Sequence, residues 1–346
     1  MAEGRGRETL RRMRAPLLLV LVLTACTTQP NAAASPTSSP TASATATPTQ
    51  TPTSSPTPSP TPIALPSFAQ LSAPSSTVVW ALVGGTRLFR SSNRGDTWEE
   101  RTLPSPVINP DVGFISDKNG LLLSAGSAAT QCQAQLAVIW RTTDGAASWE
   151  KLAGTGIADG MCKRSLTSSD ASHSFFTASS PNAAPVIYRT SDGGQAWQAS
   201  TPLPDPPGVT SRGAGFVLSP GRPRAFGSIV LVDAGFGGEP TRYVFRSLDG
   251  GATFAYASTV PTVEGLAAFV MAARWLVIGP PNQSKLTVDG GATWQTYPTD
   301  YSQAAPIAPE VVFGDATVGY ATVRGAIQRT TDGGAHWTMI KTPGTV

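Results

Sequence analysis

The residues of this chain best suited to acid–base chemistry come as a series. Asp144, Asp192, Asp249, Asp289 and Asp332 each head a short turn that ends in an aromatic residue, in "TTDGAASW", "TSDGGQAW", "SLDGGATF", "TVDGGATW" and "TTDGGAHW". A sixth copy, "SSNRGDTW", has Asn93 in the acid's place, and the closing aromatic residues are Trp98, Trp149, Trp197, Phe254, Trp294 and Trp337. Carboxylates in pairs cleave glycosidic bonds, one as acid and the other as base or nucleophile, so recurring Asp residues raise that chemistry first. The local chemistry argues against it. An Asp in such a turn accepts hydrogen bonds from the backbone N–H groups of the turn itself. Gly290 and Gly291 admit positive φ, Ser148, Thr253 and Thr293 add a hydroxyl, and the aromatic residue buries apolar area. A carboxylate held this way has a lowered pKa and is a poor general acid. The series therefore predicts a hairpin staple and no catalytic residue.

Other acids fall in the segments between the copies: Asp111, Asp159, Asp233, Glu239, Glu264, Asp300 and Glu310. Each reads as a solvated loop charge, with Asp300 and Tyr301 the pair to substitute first if hydrolysis were detected. Only His173 and His336 offer imidazole, and no cysteine spacing suits a metal. Neither a metal site nor a cofactor is expected.

The copies recur every 40 to 57 residues or so, the period of arrays and propellers. Ahead of them stand β-like runs such as "TRLFR", "AVIWR", "PVIYR" and "TRYVFR", with further short apolar segments upstream. Each unit reads as three short strands, the turn, and a fourth strand beginning at the aromatic residue. The expected fold is all-β, a single propeller over residues 67–346 with six four-stranded blades, seven being the alternative count. Blade strands alternate in direction, so the repeat turns, which follow the third strands, share a face with the turns after the first strands. A ligand is expected on the opposite face, and closure through pairing or packing of the first blade with the last.

The N-terminal fifth is different. Five arginines precede an apolar run of about 11 residues, too short to cross a ~30 Å hydrocarbon layer, and residues 1–25 read as a secretory signal. It ends in Leu23-Thr24-Ala25-Cys26, which resembles the bacterial lipobox and implies lipidation of Cys26. Residues 26–66, nearly all Thr, Ser, Pro and Ala, have almost nothing to bury and predict a disordered stalk that spans up to ~120 Å as polyproline II. Without residues 1–25 the chain carries 20 basic and 20 acidic residues, which gives no argument for nucleic acid. Cys132 and Cys162 remain as a pair in an oxidising compartment, one in a long loop of blade two and the other at the start of blade three, and a disulfide is expected.

The repeat resembles the Asp-box, or bacterial neuraminidase repeat, of sialidases, xyloglucanase-type glycosidases, sortilin-like receptors and photosystem II assembly and stability factors. The likeness covers about 280 residues and implies the fold. Sialidases carry an "Arg-Ile-Pro" segment in the first blade, which here reads "LFRSSN", and xyloglucanase-type enzymes are built from two propellers where this chain has room for one. Three residues before the acid position stand Arg90, Arg141, Arg189, Arg246 and Arg329, with Leu286 breaking the series. These positions look like the partner-binding arginine patch of the photosystem factors, the alternative being stacking on aromatic residues or bonds between blades. The resulting expectation is a monomeric, lipid-anchored, extracytoplasmic scaffold that binds a protein or glycan, with a glycoside hydrolase as the alternative.

Overall fold

Residues 79–83, Val-Trp-Ala-Leu-Val, show how the core is built. Successive side chains of a strand point to opposite faces: Val79, Ala81 and Val83 pack against Tyr320 and Ile327 near the end of the chain, while Trp80 and Leu82 pack against Val112, Phe114 and Leu122. Both faces are buried because the strand belongs to one of six sheets that stack around a ring.

The computed structural model describes residues 69–209, 217–237, 239–261, 267–279, 283–301, 310–323 and 326–345, all within one compact unit, Ser59–Val346. The expected signal, Cys26, the 26–66 stalk and Glu264 lie outside the described residues. Blade one is β1 (Ala69–Ser72), β2 (Val79–Val83), β3 (Arg87–Ser91) and β4 (Glu99–Arg101); blade two is β5 (Pro110–Phe114), β6 (Gly120–Ser124), β7 (Val138–Thr142) and β8 (Glu150–Lys151). Blade three is β9 (Cys162–Ser168), β10 (Ser174–Ser180), β11 (Ala183–Thr190) and β12 (Gln198–Ala199). Blade four is β13 (Leu218–Pro220), β14 (Arg224–Phe226), β15 (Ile229–Phe236), β16 (Arg242–Ser247) and β17 (Ala255–Val260). Blade five is β18 (Ala267–Phe269), β19 (Trp275–Val277), β20 (Lys285–Thr287) and β21 (Gln295–Thr296), and blade six is β22 (Val311–Phe313), β23 (Gly319–Val323), β24 (Ala326–Thr330) and β25 (Thr338–Ile340). Neighbouring strands within each blade pair antiparallel, and the fold is a six-bladed β-propeller. The fourth strand starts one residue after the aromatic position, since that ring still belongs to the turn.

First strands line the channel: β1 approaches β5 and β22, and β5 approaches β9. Six apolar clusters fill the spaces between neighbouring blades, including one shared by blades six and one. Blades one and six pack together through a shared apolar cluster, and among the described residues no strand is exchanged between them. At that seam Gly314 lies so close to blade one that a Cβ would come within 2.1 Å of the Ser75 carbonyl oxygen.

A single hydrogen bond, repeated in every blade, fixes which turns share a face. The N–H of the residue after the acid position (Arg94, Gly145, Gly193, Gly250, Gly290, Gly333) donates to a carbonyl of the turn between first and second strands (Thr77, Lys118, Ser172, Ser228, Ala273, Thr317) at 2.8–2.9 Å. These turns form the turn face; the connections between second and third strands and between blades form the loop face.

Candidate functional site

Asp249 shows what the repeat turns do. Its Oδ1 accepts from the backbone N–H groups of Ala252 and Thr253, each at 3.0 Å, and from the Ser247 hydroxyl at 2.7 Å, while Oδ2 accepts from Thr253 Oγ1 at 2.7 Å. These bonds hold its carboxyl far below the usual range, the Thr253 N–H contributing most. Hydroxyls of Ser148 and Thr293 contribute most at Asp144 and Asp289, each brought down to about 2. At Asp332 burial opposes the shift, but the backbone and ring of His336 outweigh it and the value is again about 2. Asn93 reproduces the arrangement without charge, accepting from Thr97 N–H at 2.9 Å and donating to Thr97 Oγ1 at 2.8 Å.

One member of each turn escapes a reading centred on the acid. Ser91, Thr142, Thr190, Ser247, Thr287 and Thr330, two residues before the acid position, are buried. Each hydroxyl donates to the Asn93 or Asp side chain and accepts the N–H two residues beyond it at 2.8–3.1 Å. A hydroxyl at that position in all six copies was a signal present in the sequence. The aromatic residues fall into two groups. Trp197, Phe254 and Trp337 are buried, whereas Trp98, Trp149 and Trp294 are half-buried. The Trp149 and Trp294 indoles reach back to the preceding blade, donating to the Thr102 carbonyl at 2.7 Å and to Ser258 Oγ at 2.9 Å.

The arginine series lies against the turn of the next blade. Arg90 donates to the Asp117 carbonyl of blade two at 2.9 Å and sits over the Trp80 ring. Arg141, Arg189 and Arg246 lie beside Gly193, Gly251 and Gly290 of blades three, four and five. Arg329 closes the ring, bonding the Arg94 carbonyl and the Asp96 carboxylate of blade one. Where Leu286 interrupts the series, Arg274 takes over, donating to the carbonyls of Ala316 and Gly333 in blade six.

The loop face is built differently. A cavity of about 380 Å³ opens at that end of the channel, lined by Gln70, Asp111, Arg164, Ser219, Arg222 and Arg242 among others, with Glu310 at its edge. Two bulges aim its arginines. In β9 an extra residue breaks the register against β10, and Ser165 adopts φ +62°, an unusual conformation for a residue with a side chain. Its N–H then donates to Asp111 Oδ2 at 2.5 Å. In blade four, residues 221–223 bulge between β13 and β14, and a Cβ at Gly221 would lie 2.2 Å from Asp233 Oδ1, so only glycine lets the strand pass. Bulges of this kind re-aim side chains.

Arg222, carried by that bulge, lies between two carboxylates: its Nη2 is 3.3 Å from Asp111 Oδ1 and 2.8 Å from Glu310 Oε1, and its Nη1 donates to the Leu166 carbonyl. One guanidinium thus joins blades two, three, four and six. Glu310 Oε1 has no well-aligned hydrogen bond, and desolvation pushes its carboxyl up to about 7, the nearby Asp111 charge adding to the effect that Arg222 opposes. Arg242 grips the buried Asp233 through Nε at 3.0 Å and Nη2 at 2.5 Å. Arg164 is solvent-exposed at the mouth and bonds Ser219 Oγ and the Pro220 carbonyl. Among the described residues no carboxylate pairs with it. Desolvation by the surrounding walls and then the charge of Arg242 lower its pKa, against the opposing pull of the Asp111 and Asp233 carboxylates.

Of the loop acids, Asp111, Asp233 and Glu310 come together here. Asp159 is exposed, Glu239 lies half-buried between β15 and β16, and Asp300 accepts the Trp337 N–H at 2.7 Å within the last repeat turn. Tyr301 is buried with its hydroxyl on the Thr322 carbonyl, so Asp300 and Tyr301 form no open catalytic pair. Cys132, in the β6–β7 connection, and Cys162, the first residue of β9, form a disulfide with Cα atoms 5.1 Å apart. Beside it Lys163 is buried, its ammonium donating to the carbonyls of Gln135 and Gly160. Arg164, Arg222 and Arg242 were not singled out in the sequence; the Gly-Arg-Pro of residues 221–223, a bulge composition inside an inner strand, was the available signal.

No family model matches the sequence, and no curated protein matches it. Among solved structures, a GH74 enzyme of Niastella koreensis is similar at TM-score 0.47 and 15% identity over 77% of this chain, which spans 46% of that one. YCF48 from Cyanidioschyzon merolae gives TM-score 0.48 at 15% identity, covering 82% of this chain and 89% of that one. An α-L-arabinanase of Penicillium chrysogenum complexed with arabinobiose gives 0.47 at 15%, covering 78% and 98%. Enzymes and YCF48 alike stand at this distance, and likeness so remote carries nothing about function.

Proposed function

We propose that this chain is a non-catalytic binding propeller of the bacterial cell envelope. In this reading a lipid on Cys26 holds it at the extracytoplasmic face, residues 26–66 space it from the membrane, and the loop-face mouth of the channel receives an extracytoplasmic protein or glycan. The repeat turns resemble Asp-boxes in composition and serve as hairpin staples. One observation carries the reading: at the mouth, the carboxylates that acid–base chemistry would need, Asp111, Asp233 and Glu310, are bound to Arg222 and Arg242. The Asp111 and Glu310 oxygens both sit on Arg222 Nη2, so a guanidinium occupies the space between the two carboxylates. Within the arginine series of the turn face, Arg90 and Arg329 bond the next blade, while Arg141 and Arg189 bond Glu150 and Gln198 of their own blades.

A second reading, a glycoside hydrolase, draws on Glu310, whose carboxyl at about 7 is poised as a general acid would be. A panel of fluorogenic glycosides offered to the detergent-extracted full-length protein separates the two. The binding reading expects no turnover; turnover abolished by Glu310→Gln and Asp111→Asn overturns it. Mass spectrometry of the membrane-extracted chain tests the anchor, with diacylated Cys26 as the new N-terminus expected and an unmodified Cys26 contradicting it.

A further inference from the structure

The inner edge of blade four carries two arginines into the channel, and only one of them is matched. Arg222 lies between the carboxylates of Asp111 and Glu310, whereas Arg224, the first residue of β14, has no carboxylate partner among the described residues. It reaches across to blade six, where its Nη2 donates to the Phe313 carbonyl at 3.1 Å, and its guanidinium lies 5.9 Å from the Phe226 ring. The acids of the adjoining turns are engaged within those turns: Asp170 accepts from the Ser172 and His173 N–H groups, and Asp315 from those of Thr317 and Val318. A buried carboxylic acid or amine can shed its charge by titrating, but a guanidinium keeps its proton. The desolvation that lowers the pKa of Arg224 therefore calls for an anion from solution.

There is room for one. A cavity of about 90 Å³ lies beside Arg224 at the turn-face end of the channel, lined by Pro74, Phe114, Thr167, Ser168 and Ser169 among others. That is about three times the ~30 Å³ share of one water and well below the ~300–1,000 Å³ of organic-ligand pockets. Ser168 and Ser169 donate to the Gly113 and His173 carbonyls, but the hydroxyl of the buried Thr167 has no partner among the described residues. Guanidinium N–H groups meet two oxygens of one anion in a plane, and the Thr167 hydroxyl comes from another blade, a donor set that suits a tetrahedral ion better than a planar carboxylate. We infer that this cavity is a site for a small tetrahedral oxyanion, phosphate or sulfate, held by Arg224 of blade four and the Thr167 hydroxyl of blade three. The ion neutralises a charge set inside the ring, and it does so independently of any ligand on the loop face.

Isothermal titration of the detergent-extracted full chain in chloride-free buffer tests it, with inorganic phosphate, sulfate and acetate as probes. Phosphate or sulfate is expected to bind at one site, with acetate at least tenfold weaker. Arg224→Gln should weaken the oxyanion by roughly ten- to hundredfold, the usual size of a lost charge-assisted pair. Arg224→Lys, which keeps the charge without the fork, should fall in between, and Thr167→Val, which keeps the shape, should cost about two- to tenfold. If Arg224→Gln does not fold, these two variants decide. No binding of either oxyanion, acetate as tight as phosphate, or affinity unchanged in the Arg224 and Thr167 variants each overturns the site. Glycerol 3-phosphate separates the sources: binding as tight as inorganic phosphate assigns the site to a phosphomonoester, and weaker binding assigns it to the free ion. Turnover of the glycoside panel would remove the binding reading of the loop face and leave this site standing.

Discussion

The two ends of the channel use the same residue types to opposite purpose. On the turn face, each carboxylate is surrounded by donors from within eight residues, and even an amide at Asn93 completes the same network. On the loop face, Arg164, Arg222 and Arg242 meet Asp111, Asp233 and Glu310, three charges of each sign brought together from blades two, three, four and six. A carboxylate saturated by its own turn is stable and inert; charges brought together from distant blades are costly to bury and remain able to meet a ligand. The difference teaches that the most repeated acidic motif of a chain need not be its reactive part.

Substitutions can sharpen that contrast, beginning with the largest effect. Replacing both Cys132 and Cys162 by Ser should lower unfolding stability by about 2–4 kcal/mol, because the bridge spans 30 residues and pins the long loop-face connection. Thermal melts with and without reductant check this, and equal melts would show that the loop needs no bridge. On the turn face, Thr330→Val keeps the shape but leaves the buried Gly334 N–H without its acceptor, at a cost of about 1–3 kcal/mol. Chemical denaturation measures it. A loss below the error of the method would mean that the hydroxyl is not part of the staple.

Acid should separate the faces by sign. Folded-state values near 2 for Asp144, Asp289 and Asp332 lie below the ordinary ~3.9 of the unfolded chain, so their contribution is present above pH ~4 and is lost as pH falls toward 2. Glu310 does the reverse. Its folded value of about 7 lies above the unfolded ~4.3, so its favourable contribution is complete below pH ~4 and is lost as pH rises through 7. Glu310→Gln should therefore flatten the stability profile between pH ~4 and ~7, and an unchanged slope would contradict the assignment. Smallest of all, Asp289→Asn should leave the melting temperature at pH 7 nearly as it was, since Asn93 already fills the equivalent position, while removing one part of the acid dependence.

What the sequence made legible follows from the same contrast of distance. Each turn is a local object, so "DGGATW" and its copies reveal the blade count, the strand order and the face on which the turns lie. The core followed too, since Val79, Ala81 and Val83 alternate with Trp80 and Leu82 as a strand buried on both sides must. Arg222 could not be read this way: nothing within twenty residues of it in the chain tells that Asp111 and Glu310 will flank it. The Ser/Thr before each acid was local and visible, but its role depends on a hydroxyl that donates and accepts at once, which composition alone does not reveal. The arginine series was visible as a pattern, while its links to the next blade's turn, and the substitution of Arg274 for the missing member, depend on packing between blades.

A panel of fluorogenic glycosides offered to the full-length protein, to Glu310→Gln and to Asp289→Asn tests the division of labour most directly. The account predicts no turnover by any of the three. Turnover by the unaltered chain that Asp289→Asn abolishes would contradict it and move function to the face of the repeat turns, and turnover that Glu310→Gln abolishes would replace the binding reading with catalysis on the loop face.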